Sequence, residues 1–113
     1  VEFHPIAWMY DYTDSPPELL YGYQQKEAIY EEYEGTYANP TSKMVSKEYG
    51  WNHGLGELIT ALSTLGLKIE YLNEYEQSPY DIFPGLLKND QGLYELPNGL
   101  YPLVFELKAR KMN

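Results

Sequence analysis

The stretch GWNHGLGELITALSTLGLKIEYLNEY, residues 50–75, limits the fold more than any other part of the chain. Leu55, Leu58, Ile59, Leu62 and Leu65 recur at helical spacing and make one apolar stripe. Asn52 stands at an N-cap position, where its side-chain oxygen can accept a free backbone N–H of the first turn. Glu57 suits the positive end of the helix dipole. Gly66 suits the left-handed residue that closes a helix. Gly54 and Gly56 weaken the first turn by roughly 1 kcal/mol each relative to Ala. The spacing predicts a helix over 54–65. From Leu67 the pattern switches to alternation, which predicts a strand over 67–75. The connection is so short that the helix must lie back along its sheet. A bare helix–strand unit does no chemistry, so the flanking segments decide what it belongs to.

Upstream, Val1–Phe3 reads as the end of a strand, and Pro5 bars further ladder pairing. Residues 6–9 are apolar and suit a short helical turn. Asp14-Ser15-Pro16-Pro17 marks a loop over 11–20. Residues 24–38 and 44–49 form a long, exposed, Tyr-rich β-hairpin around Asn39-Pro40-Thr41-Ser42. Downstream of the helix–strand unit, 78–85 is a loop. The runs 93–96 and 100–109 flank Pro97-Asn98-Gly99, and Asn-Gly favours a tight primed turn, so a second hairpin is expected there.

The 113 residues suffice for one small domain. Hydrophobic content of 43% and charged content of 22% fit a globular chain. A net charge of −9 argues against nucleic acid and against an anionic membrane surface, and it does not repel a cationic ligand. The absence of cysteine excludes disulfides, thiolate zinc sites and a Cys nucleophile, and is compatible with the expected cytoplasmic location. No apolar run approaches the roughly 20 residues of a membrane span. The 13 tyrosines against 3 phenylalanines suit half-wet surfaces such as clefts and interfaces, as well as ordinary sheet positions.

The candidates for chemistry are few. The two histidines, His4 and His53, are far apart and lack metal-type spacing, so no metal site is expected. Both are candidate general bases. His4 follows a strand end, where open α/β sheets place their ligand crevice. His53 opens a helix, where the dipole favours a neutral, proton-accepting imidazole. The stronger reading of His53 is a helix-start residue bonded locally. Glu2 could bind a cationic or hydroxyl-bearing ligand or pair with a basic side chain. Trp8 and Trp51 could wall a pocket or fill a core. The acidic run Glu31-Glu32-Tyr33-Glu34 reads as a solvated hairpin face. GLG at 54–56 lacks the preceding strand of a dinucleotide fingerprint, and no Ser-centred elbow is present.

The order of these signals resembles one family. EFHP at Glu2–Pro5 is followed by YEGTYANP, then YGWNHGLGELITALSTLGLKIEYLNEY, SPYDIFP and the closing LPNGLYPLVFELKARK. The chain resembles, over 1–111, the C-terminal half of a bacterial class I S-adenosylmethionine-dependent methyltransferase. WNHGLGEL and EFHP are the more specific pieces. The resemblance implies an α/β fold, part of a Rossmann-like sheet, with Val1–Phe3 ending strand five, 67–75 as strand six and 100–110 as strand seven between them. It implies a single partial domain over 1–113 with 11–50 inserted as a lid. It implies a small-molecule substrate and S-adenosylmethionine as cofactor. The Gly-rich loop and the ribose-holding acid of the family have no counterpart here, so the cofactor site would lie outside these residues and the isolated piece would be inactive. His4 and His53 would be catalytic, and Glu2, His4, Trp8, Trp51 and His53 would face substrate. A truncated sheet would also self-associate. The alternative is a non-catalytic binding or dimerisation module that uses the Tyr-rich hairpin; a closed β-barrel carrier fits poorly with a helix in mid-chain.

Overall fold

The computed structural model describes residues 1–12, 17–35, 39 and 41–112. In chain order the strands are β1 (Glu2–Phe3), β2 (Tyr10–Asp11), β3 (Glu18–Leu19), β4 (Ile29–Glu34) and β5 (Val45–Gly50). The helix α1 (Leu55–Thr64) follows, and then β6 (Leu67–Tyr75), β7 (Gln77–Ser78), β8 (Leu87–Lys88), β9 (Tyr94–Glu95) and β10 (Val104–Lys111). Short 3-10 turns cover Ala7–Met9 and Pro97–Gly99. No helix of the described residues is long and apolar enough to cross a membrane.

β10 is the organising strand. It pairs with β6 along its whole length and with β1 at its start, giving a sheet of order β1-β10-β6. The three segments expected to be neighbours are therefore neighbours. The class expected for them is not formed. Every pairing among the described strands is antiparallel. A doubly wound α/β sheet needs parallel strands linked by crossover helices. Here one helix of 10 residues accompanies four small, separate antiparallel sheets. Among the described residues the chain is a mostly β structure with a single α-helix, and the Rossmann-like α/β assignment is corrected accordingly.

The helix runs from Leu55 to Thr64 within the expected span. Gly66, at φ +85°, turns the chain in the left-handed region that only glycine enters freely, and its N–H donates to the Ser63 carbonyl at 3.0 Å. Leu55 is buried and Leu58, Ile59 and Leu62 are half-buried, but Leu65 is 77% exposed. The N-terminus differs from expectation. Gly54 is the cap, and the acceptor for the Leu55 N–H is the Tyr23 hydroxyl at 3.0 Å. The Tyr23 ring lies so close to Gly54 that a Cβ there would meet it at 2.5 Å.

The core sits where β10 begins. Leu103 and Val104 pack with Ala7, Tyr12 and Leu96, and Phe3, Tyr10, Phe83 and Tyr101 close around them. Tyr12 donates its hydroxyl proton to the Ala7 carbonyl at 2.9 Å and takes a hydrogen bond from Tyr101 at 2.6 Å. Its ring stacks on Phe83 at 4.2 Å.

The second hairpin is not formed. Asn98 and Gly99 do adopt the positive φ of a primed turn, 63° and 54°. Yet β9 pairs with β7 and β8, while β10 runs on to β6. The eight-position ladder with β6 outweighs a two-residue local pairing. The β4–β5 hairpin forms as expected, in register Ile29↔Gly50 through Glu34↔Val45, and is largely exposed. Part of its tip, at 36–38 and 40, and part of the expected 11–20 loop, at 13–16, lie outside the described residues; within that expected loop, Asp11 and Glu18–Leu19 are strand residues that pair β2 with β3.

Candidate functional site

Two adjoining clefts open where the base of the β4–β5 hairpin meets the start of α1. The first, about 180 Å³, runs between Trp8 and Trp51, with Tyr21, Ile29, Glu31 and Glu48 as further walls. The second, about 330 Å³, holds His53 and Glu57, with Trp51 at its edge. Trp51 and Asn52 border both clefts.

Buried Asn52 fixes this junction. Its side-chain amide donates to the Pro5 carbonyl at 2.9 Å and the Gly22 carbonyl at 3.3 Å, and its own carbonyl accepts the Gln25 N–H at 3.0 Å. Residue 52 therefore ties the β1 exit, the 22–25 loop and the helix entry together instead of capping α1. Trp8 is held on one side by edge-on contacts with Phe3 at 5.9 Å and Phe83 at 5.5 Å, while 45% of it stays exposed. Trp51 is 54% exposed. Exposed indoles on either side of one cleft are unusual for a surface made only to be wet, because each keeps a large apolar face in water.

The hairpin brings charge to this cleft. Glu31 and Glu48 are directly opposed register partners, so their side chains share one face of the ribbon, and both line the cleft. Tyr33, two residues on, donates its hydroxyl to Glu48 at 2.7 Å. That hydrogen bond, together with the nearby charges of Glu48 and Glu31, pushes the Tyr33 phenol above its ordinary value. Lys47 does not help on this face, because it pairs with Glu32 at 3.8 Å on the opposite one. Among the described residues neither Glu31 nor Glu48 has a basic partner.

The expected site residues divide into two groups. Trp8, Trp51 and His53 come together around the clefts. His53 Nδ1 lies 3.3 Å from the Glu57 carboxylate one turn along the helix, and both side chains are open to solvent. Its Nε2 has no partner among the described residues. His4 and Glu2 line neither cleft. His4 is buried; its Nδ1 accepts the Ile6 N–H at 3.1 Å and its Nε2 donates to Glu74 at 2.6 Å, which ties β1 to the β6 end of the sheet. With both ring nitrogens engaged it offers no lone pair to a ligand. Glu2 is exposed beside Phe105 in the β1–β10 ladder.

Neither Tyr21 nor Glu48 was singled out as a site residue, and Glu31 and Glu57 were read only as a solvated face and a dipole partner. Period-two alternation was the available signal for Glu31 and Glu48, since it separates Glu31 and Tyr33 from Glu32 and Glu34. Nothing local marks Tyr21.

The described residues do not form the S-adenosylmethionine site that the resemblance implies: every described pairing is antiparallel, so no Gly-rich loop links a parallel strand to a helix, and the start of α1 is occupied by the Tyr23 ring and hydroxyl. Among the described residues no group of three or more His, Asp or Glu could hold a metal ion. No protein-family model, curated protein or solved structure matches the chain.

Proposed function

We propose that this chain supplies the substrate side of an S-adenosylmethionine-dependent methyltransferase acting on a small molecule, with the donor held by residues outside it. The observation that carries the reading is the meeting of Trp8, Trp51 and His53 around two clefts that share Trp51 and Asn52. Methyl transfer asks an enzyme mainly for position and orientation. The two indoles supply flat walls that hold an acceptor and displace water from it. His53, within reach of Glu57, keeps Nε2 available to take the proton an acceptor gives up. His4 acts here as a positioning residue, through β1 and the loop that carries Trp8.

The test is methyl transfer by the protein encoded by the whole reading frame, using tritiated S-adenosylmethionine and a panel of small amines and alcohols. Transfer to at least one acceptor is expected, with Trp51→Ala raising KM at least tenfold and His53→Ala lowering kcat. No transfer to any acceptor, or unchanged kinetics in both variants, would remove the reading. The second reading, a non-catalytic binding module, draws on the outer face of the hairpin. There Tyr30 and Tyr49 meet at 4.8 Å and Tyr49 is 68% exposed.

A further inference from the structure

We infer that the Trp8–Trp51 cleft binds an alkylammonium headgroup, which it recognises through two indole faces and the opposed carboxylates of Glu31 and Glu48. The inference rests on the substrate-side reading above and names the class of substrate.

Three independent features converge. First, both indoles border the cleft and stay about half exposed, and Trp is the best side chain for holding a cation over its face. Second, Glu31 and Glu48 face each other across the ribbon with no basic side chain between them. Like charges directly opposed destabilise a sheet pair. A bound cation relieves that repulsion, so the unliganded hairpin carries a charge pattern that a ligand completes. Third, the size is right for a headgroup. At about 180 Å³ the cleft is smaller than the roughly 300–1,000 Å³ of pockets that enclose whole drug-sized ligands. The overall charge of −9 draws cations toward it.

The ammonium group is a recognition handle and not the methyl-accepting atom, because a fully substituted or protonated nitrogen has no lone pair to give. The accepting atom belongs on the His53 side of Trp51, where Nε2 can take its proton.

The chain contains two tryptophans and both line the cleft, so emission excited at the red edge of the indole band, where its 13 tyrosines do not absorb, reports on this region, with Trp8 bordering the first cleft alone and Trp51 bordering both. The probes are choline and its uncharged carbon analogue, 3,3-dimethylbutan-1-ol, titrated into the intact chain at low salt. Choline is expected to change the emission saturably and to bind at least about tenfold more tightly than the alcohol. The preference should shrink as ionic strength rises. In the double variant Glu31→Gln/Glu48→Gln it should fall to within about twofold, with the circular dichroism spectrum preserved and a cooperative thermal melt retained. Equal binding of choline and the alcohol, no saturable change with either, or a preference that survives in the folded double variant would each overturn the inference. So would saturable change with S-adenosylmethionine but none with choline, which would give the cleft to the sulfonium of the donor. Failure here leaves methyl transfer by the whole-frame protein standing, and failure of methyl transfer leaves choline binding standing, so the two claims fall separately.

Discussion

At the scale of single residues, Asn52 shows how one buried amide sets a site. Its two donated bonds reach carbonyls 47 and 30 positions away in sequence. Asn52→Ala leaves both carbonyls without that partner, and a buried polar group left unsatisfied costs about 1–3 kcal/mol. A loss of that size in urea denaturation is expected. A change under 0.5 kcal/mol would mean that water replaces the amide. Tyr12 and Tyr101 make a second residue-scale case. Burial is the main cause that pushes both phenols above their ordinary value. A raised folded-state pKa favours the neutral form, so the stabilisation is complete below the ordinary tyrosine value of about 10. Above it the unfolded chain ionises first and stability falls as pH rises. Denaturation midpoints taken between pH 8 and 11 should therefore be flat and then drop, with a shallower drop in Tyr101→Phe.

At the scale of elements, the β4–β5 hairpin holds a charge arrangement that works against its own stability. Glu31→Gln removes the repulsion with Glu48 without removing a hydrogen bond that Glu31 makes among the described residues. It should raise stability by about 0.2–1 kcal/mol while weakening choline binding. Thermal melts with and without choline would show both effects. The helix, its Gly66 exit, β6 and the exposed hairpin were legible because each rests on local spacing or on one residue's φ preference. The turn at Asn98–Gly99 was legible as a conformation, but the pairing of its flanks was not. Pairing is decided by which long ladder wins, and β10 finds a better one in β6. The N-cap was misread because its acceptor, the Tyr23 hydroxyl, comes from 32 residues upstream. The Trp8–Trp51 cleft was legible only as two candidate walls, since its acidic face depends on hairpin register.

At the scale of the whole molecule, the sheet β1-β10-β6 ends in two open edges among the described strands, and β6 presents nine residues on one of them. Long bare edges pair with other chains, and the half-covered leucine stripe of α1 lies beside β6. We propose that the chain self-associates, and sedimentation should show average mass rising with concentration. A single monomeric species up to the highest soluble concentration would contradict this. The resemblance to methyltransferases led to the right three neighbouring strands but the wrong class, because neighbours alone do not make a parallel sheet.

On the proposed reading these residues hold the acceptor side of the reaction and not the donor side. The deciding measurement is a calorimetric titration of the chain with S-adenosylhomocysteine. No detectable heat is expected, because the start of α1 is filled by Tyr23 and no other glycine-rich cradle follows a strand among the described residues. Saturable micromolar binding would place the donor site within this chain and contradict the assignment of its clefts to the substrate.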